Sequence, residues 1–305
     1  MTTVQGLHHI TAVAADPQRN ADFYTRVLGL RLVKKTVNQD DPSSYHLYYG
    51  DDRGRPGTAM TFFPFPGVPA GQAGRGQPLE TRFSVPAGAI AAWQSQLADA
   101  GITVTPGHTD VPMLQFHDPD GLPLALIGDA PSSIAADTRG ETAIRGFSGM
   151  SLASHRPVAT ARVLTGLLDY VESGAGVGGT RFVSLDAPLA RHIDLVEDVA
   201  PGQAGYGTVH HVAFRVADRP ALLERLERIR AWQLPCSGEV DRYYFRSVYF
   251  REPGGMLFEI ATDDPGFDVD EPVESLGSDL KLPPAHEPMR ATIEAHLPGL
   301  VSRPR

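Results

Sequence analysis

The 305-residue sequence predicts an α+β fold made of four consecutive βαβββ modules. Three observations predict it. A strand-like run, an amphipathic helical run and three short strands recur with a spacing of about 50 to 65 residues. The turn Asp118-Pro119-Asp120-Gly121, ahead of the last strand of the second copy, matches Glu252-Pro253-Gly254-Gly255 ahead of the last strand of the fourth. A His-His pair opens the first copy, in Leu7-His8-His9-Ile10, and the fourth, in Val209-His210-His211-Val212.

The first module starts with a strand over 7–14 and a helix over 17–28. Asp16 is a good N-cap, Pro17 suits the first turn, and Gly29 ends the helix. Phe23, Val27 and Leu28 share its apolar face. Strands near 30–37, 45–49 and 58–63 follow, and the Gly/Pro-rich stretch 64–78 reads as an exposed loop. The second module has a strand at 81–85, a helix over 87–100 with Ile90, Trp93 and Leu97 on one face, and strands at 102–105, 113–117 and 122–127. The third runs over 144–198, with a helix at 157–168 and strands near 170, 180–185 and 192–196. The fourth starts at 208, with a helix over 220–231 and strands at 238–242, 245–250 and 256–261. The proline-then-glycine turns at 119–121 and 253–255 feed the last strands of the second and fourth modules. The small, polar linker 128–141 marks a boundary. The expected domains are therefore 1–130 with two modules, 144–262 with two modules, and a tail over 263–305. A helical pattern at 288–297 fits either packing over the fold or a subunit contact.

Composition narrows the function. Hydrophobic residues make up 42% and charged residues 21%, the balance of an ordinary globular protein. Net charge is −9 and no block of Lys or Arg appears, which argues against a nucleic-acid or anionic-membrane surface. A single cysteine, Cys236, rules out an internal disulfide and a Cys-rich zinc site, and it reads as an inert small residue. No signal-peptide pattern and no long apolar run is present, so the expected compartment is a reducing cytoplasm. Homo-oligomerisation is the default expectation for such a chain.

The chemistry-bearing residues lie in only two of the modules. Glu259 sits inside the apolar strand Gly255-Met256-Leu257-Phe258-Glu259-Ile260. Aligning Gly121 with Gly255 puts Ala125 opposite Glu259, so the fold itself does not require a carboxylate there. The opening strands of the second and third modules carry no histidine. A buried unpaired carboxylate is costly. Two imidazoles and a carboxylate on strands form the ligand set of a non-haem iron(II) oxygen-activating centre. Strand alternation sends neighbouring side chains to opposite faces, so it leaves open which histidine of each pair is the ligand. His46, His108, His117, His155 and His192 read as structural or exposed, and Asp263, Asp264, Asp268, Asp270 and Glu271 read as a solvated loop.

With these residues the chain resembles the vicinal oxygen chelate superfamily, and within it the hydroquinone-type ring-cleaving dioxygenases. The resemblance rests on Leu7-His8-His9-Ile10-Thr11, Tyr45-His46-Leu47-Tyr48, Thr58-Ala59-Met60-Thr61, His210-His211 and Phe258-Glu259. It continues in Gly266-Phe267, Ser275-Leu276-Gly277 and Leu280-Lys281-Leu282-Pro283-Pro284, and so covers nearly the whole chain. It implies paired modules forming two vicinal oxygen chelate domains, with His9, His211 and Glu259 as ligands. The implied metal is Fe(II), with Mn(II) second; zinc also accepts such a set. The implied reaction cleaves a hydroquinone or substituted hydroquinone ring with O2. Family positions further imply that His8, His210 and Thr11 surround the ligands, while Arg242 and Tyr249 contact the substrate phenolate. A nearby cation lowers a phenol's pKa, which is the physical reason for the arginine. Both His8 and His210 could reach a pocket only if their strands bend. In the first module the place of Glu259 falls near Met60 and Thr61, where there is no carboxylate. That leaves coordination positions open and weakens the alternative of an oxygen-independent glyoxalase-like lyase or isomerase, since glyoxalase I has four protein ligands. A ligand-sequestering resistance protein is the third alternative, and such proteins generally lack a metal triad.

Overall fold

The computed structural model describes residues 3–65, 67–107, 111–129 and 140–301. His108 and most of the linker expected at 128–141 lie outside the described residues.

The first module is β1 (Leu7–Ala14), α1 (Pro17–Asp22), β2 (Arg31–Val37), β3 (Tyr45–Gly50) and β4 (Ala59–Pro64). The second is β5 (Gln77–Pro86), α2 (Ile90–Asp99), β6 (Thr105–Pro106), β7 (Met113–His117) and β8 (Pro123–Asp129). The third is β9 (Gly146–Ala153), α3 (Pro157–Gly166), β10 (Val171–Ala175), β11 (Gly179–Val183) and β12 (His192–Val196). The fourth is β13 (Val209–Val216), α4 (Arg219–Ala231), β14 (Cys236–Asp241), β15 (Phe245–Arg251) and β16 (Leu257–Pro265), and α5 (Arg290–His296) lies in the tail.

The helix starts follow their caps. Asp16 Oδ1 accepts from the Arg19 amide at 2.7 Å, and Asp218 Oδ1 accepts from the Ala221 amide at 2.9 Å. Where a helix was expected through residue 28, α1 gives way to a π-helical turn at Phe23–Val27, closed by the Leu28 amide on the Phe23 carbonyl at 3.1 Å. This wider turn keeps Phe23 and Tyr24 both buried. The strand expected at 102–105 is only the two-residue β6, at a sheet edge where Pro106 is tolerated.

Two eight-stranded sheets result, ordered β14-β15-β16-β13-β1-β4-β3-β2 and β10-β11-β12-β9-β5-β8-β7-β6. The first joins the first and fourth modules, the second joins the second and third. Hydrogen bonding therefore crosses the division into 1–130 and 144–262: each sheet takes one module from each half of the chain. The seams are the antiparallel pairs β1–β13 and β5–β9. A hydrophobic cluster containing Leu7, Phe62, Phe83, Phe147, Phe214 and Phe258 draws on both sheets.

The tail packs on the first sheet. Phe267 and Leu276 join Val33, Tyr48 and Tyr244, and Ile293 of α5 joins Val37 and Leu282. Its acidic residues are not all a solvated loop. Lys34 is fully buried, with Asp270 Oδ1 2.6 Å from Nζ and Glu271 on its other side. A buried ammonium requires such counter-charge. Asp263 pairs with Arg215 at 2.6 Å. Among the described residues, no helix is long and apolar enough to cross a membrane.

Candidate metal centre

Two β-bulges face each other across the β1–β13 seam. Leu7 pairs with Phe214 and His9 with Ala213, so His8 is the extra residue on β1. Thr11 pairs with His211 and Ala12 with Val209, so His210 is the extra residue on β13. A bulge re-aims a side chain, which answers how adjacent histidines can meet on one side of a strand. The Nδ1 atoms of His8 and His9 lie 2.8 Å apart, as do those of His210 and His211.

The second histidine of each pair and Glu259 converge. His211 Nε2 is 3.4 Å from His9 Nε2, and Glu259 Oε2 is 3.3 Å from His9 Nε2 and 3.0 Å from His211 Nε2. All three residues are buried. Ligands at about 2.1 Å from one ion, at right angles, would stand about 3 Å apart. The three atoms thus fit one face of a metal's coordination sphere. Ser247 donates to Glu259 Oε1, whereas Oε2 is buried without a hydrogen bond. That orphaned oxygen is what a cation would satisfy.

Protonation follows from the partners. His8 is 3% exposed, and burial, then the neighbouring His9, push it down to about 3. Neutral His8 donates Nε2–H to the Thr262 carbonyl at 3.0 Å, leaving Nδ1 to accept from His9. The His9 hydrogen thus sits on Nδ1, which leaves Nε2 as the atom that would bind a metal. Burial also lowers His211, which favours the neutral ligand. Burial opposes ionisation of Glu259, but proton-bearing His9 and His211 outweigh it and hold the carboxyl well below the usual range, a role a bound cation would take over from those protons. Burial, then the neighbouring His211, push His210 down to about 3 as well, but its side chain reaches the surface of a cavity of about 320 Å³.

That cavity is lined by His9, His46, Tyr48, His211, Arg242 and Tyr249, among others. Arg242 Nε donates to Tyr249 Oη at 3.0 Å, and its guanidinium lies 4.9 Å from the tyrosine ring centre. Its Nη1 and Nη2 form a bidentate pair with Asp40, at 3.0 and 2.9 Å. Thr11 Oγ1 sits 2.8 Å from His211 Nε2. All eight residues singled out in the sequence thus gather around one centre. Sequence reasoning missed Asp40, which no motif marks, and set aside His46, which lines the cavity instead of serving the core. The only sequence signal for His46 was its position in the Tyr45-His46-Leu47-Tyr48 strand.

At the equivalent place in the second sheet no metal-ligand cluster gathers among the described residues. Thr11 pairs with Thr61 and Ala213 with Glu259, so Thr61 on β4 holds the place of Glu259 on β16. On the same register Arg82 pairs with Ala125 and Ser151 with Asp194. There the middle is filled by Arg82, bonded to Asp194, to Ser151 and to Glu80 Oε1 at 2.9 Å, with Arg181 on Asp194 at 2.8 Å.

Comparison with known proteins agrees with this architecture. Residues 6–126 match the model of the Glyoxalase/Bleomycin resistance protein/Dioxygenase superfamily. The chain is 45% identical to the "Putative ring-cleaving dioxygenase MhqE" of Bacillus subtilis (strain 168), over 97% of this chain and 99% of that one. It is 33% identical to the "Chlorohydroquinone/hydroquinone 1,2-dioxygenase" of Sphingobium indicum, over 93% of both. The crystal structure of a Bacillus subtilis protein titled "putative dioxygenase" superposes with a TM-score of 0.95 at 40% identity, covering 100% of each chain. Glyoxalase I from Zea mays, at 14% identity and a TM-score of 0.63 over 85% of this chain and 92% of that one, shares the fold. The chain belongs to the glyoxalase/bleomycin resistance protein/dioxygenase superfamily, and its His9/His211/Glu259 triad is a buried metal-binding site.

Proposed function

We propose that this protein is a ring-cleaving dioxygenase that opens a hydroquinone or substituted hydroquinone with O2, using Fe(II) or, second, Mn(II). The observation that carries the reading is the orphaned Glu259 Oε2 facing the Nε2 atoms of His9 and His211 beside a cavity that Arg242 lines. The near-full-length similarity to a chlorohydroquinone/hydroquinone 1,2-dioxygenase supports the substrate class. Hydroquinone and O2 contain every atom of the ring-opened acid aldehyde, so no outside reductant is needed.

A metal held by His9, His211 and Glu259 supplies Lewis-acid and one-electron chemistry between ring and oxygen. The chain's own residues do the rest. Arg242 and Tyr249 orient a ring oxygen, and the guanidinium favours its ionised form. His210, open to the cavity, takes the hydroxyl proton and returns it to the product. His8, sealed behind His9, holds the ligand tautomer. Phe63, Phe245 and Leu257 complete the wall around the ring. The lyase or isomerase alternative gains no support, because Thr61 stands where a fourth carboxylate ligand would have to be. The free, half-buried Cys236 fits a reducing compartment, and we assign the protein to the cytoplasm.

The test compares hydroquinone, methylhydroquinone and chlorohydroquinone with and without air, using iron(II)-loaded protein. Loss of substrate matched by a new semialdehyde absorbance only in air supports the proposal. Turnover of a glutathione hemithioacetal without oxygen, and none of the hydroquinones, would replace it with the lyase class.

A further inference from the structure

A line of hydrogen bonds, half-buried at His46 and buried at Thr61 and Thr11, reaches the metal centre from the side opposite Glu259. Tyr48 Oη lies 2.8 Å from His46 Nδ1, and His46 Nε2 lies 2.9 Å from Thr61 Oγ1. Thr61 Oγ1 lies 2.8 Å from Thr11 Oγ1, which lies 2.8 Å from His211 Nε2. The line runs β3 to β4 to β1 to β13, through the residue that holds the place of the missing carboxylate.

Its polarity can be derived. Tyr48 is 3% exposed, and its hydroxyl meets His46 Nδ1. A phenol is a strong donor and a weak acceptor, whereas the bare nitrogen of a neutral imidazole is a strong acceptor. Tyr48 therefore donates and Nδ1 accepts. Burial keeps His46 neutral, so Nε2 carries the hydrogen and donates to Thr61. Thr61 in turn donates to Thr11, whose acceptor capacity is thereby engaged and whose hydrogen points at the centre. Once the His211 Nε2 lone pair is given to a metal, that hydrogen is directed at the neighbouring coordination position.

We propose that His46, acting through Thr61, is a positioning residue that fixes the Thr11 hydroxyl as hydrogen-bond donor to the non-protein ligand of the metal centre. The inference rests on the metal-centre reading. It assigns a task to a histidine that neither binds the metal nor touches its ligands. It also gives a physical reason for a hydroxyl at position 61: a hydroxyl passes on a hydrogen bond, where a carboxylate would occupy the metal.

The test uses cobalt(II)-loaded protein and azide as the probe, with the visible bands of the metal as readout. His46→Phe keeps a ring but cannot donate, and it should weaken azide binding about tenfold while leaving cobalt affinity unchanged. His46→Gln, whose amide can donate to Thr61, should restore most of the affinity. Thr61→Val breaks the line without altering His46 and should reproduce the loss. His46→Phe combined with Thr11→Val should lose no more azide affinity than Thr11→Val alone. Unchanged azide affinity in both His46→Phe and Thr61→Val overturns the inference, as does a loss that adds fully to that of Thr11→Val. Failure of the unaltered protein to take up cobalt would instead refute the metal centre itself.

Discussion

His9 offers a metal an unprotonated Nε2 because His8 accepts the hydrogen on its Nδ1, and His8 can do so because the Thr262 carbonyl holds its other hydrogen. Removing that partner frees His9 to rotate or to take the wrong tautomer. His8→Phe should therefore lower metal affinity by about 10- to 100-fold. Anaerobic competition against a chromophoric chelator measures it, and unchanged affinity would remove His8 from the account. The histidine pairs and Glu259 were legible in the sequence because ligand residue types recur at equivalent places of a repeat. The division of labour within each pair was not legible from the residues, since regular strand alternation cannot say which of two neighbours faces inward. The opposed bulges decide it. Asp40 and His46 were hidden for a related reason: Asp40 meets Arg242 across 202 residues of chain.

Elements place these residues, and turns fix the elements. Asp118 closes the turn before β8: its Oδ1 accepts the amides of Asp120 and Leu122 at 2.8 and 2.9 Å, and Oδ2 accepts from Tyr24 at 3.2 Å. Burial pushes its carboxyl up to about 6, from 3.8 in the unfolded chain. The folded state thus holds this proton more tightly between those values. The stability it contributes is full below pH 3.8 and is lost as pH rises through 6, in total about 3 kcal/mol. Asp118→Asn cannot ionise, so its stability relative to the unaltered protein should improve by about that amount from pH 4 to pH 7. Urea unfolding across this range measures the difference, and a gap that does not vary with pH would contradict the assignment. At this scale the sequence was informative. Strands β7 and β12 fall on their expected bounds, and both proline–glycine turns feed last strands. The π-helical turn at Phe23–Val27 was not legible, because nothing in the local pattern separates it from an ordinary helix end.

Four copies of one unit make two equivalent sheets, and among the described residues one of the two holds a metal triad. In the other, Gly149 takes the register position of His211, and a Cβ there would come within 2.0 Å of the His192 carbonyl oxygen. The Arg82 guanidinium fills the middle of that sheet, anchored by Asp194, which is fully buried. Arg82→Met would leave Asp194 with Arg181 as its remaining cation and should cost about 1 to 3 kcal/mol in unfolding stability. Metal stoichiometry should stay at one per chain. A second equivalent bound by that variant, or no loss of stability, would contradict the equivalence. The sequence made four modules visible, but it could not say which modules share a sheet, because seams such as β1–β13 are written in contacts some 200 residues apart.

Stoichiometry shows most plainly whether the His9/His211/Glu259 centre cleaves an aromatic ring with oxygen. Protein carrying one iron(II) per chain is given a limiting amount of hydroquinone in an oxygen electrode, beside Glu259→Ala loaded under the same conditions. One O2 should be consumed per ring opened, without peroxide release, and none by the variant. Ring opening that persists in Glu259→Ala, or oxygen consumed with the ring intact and peroxide released, would contradict it.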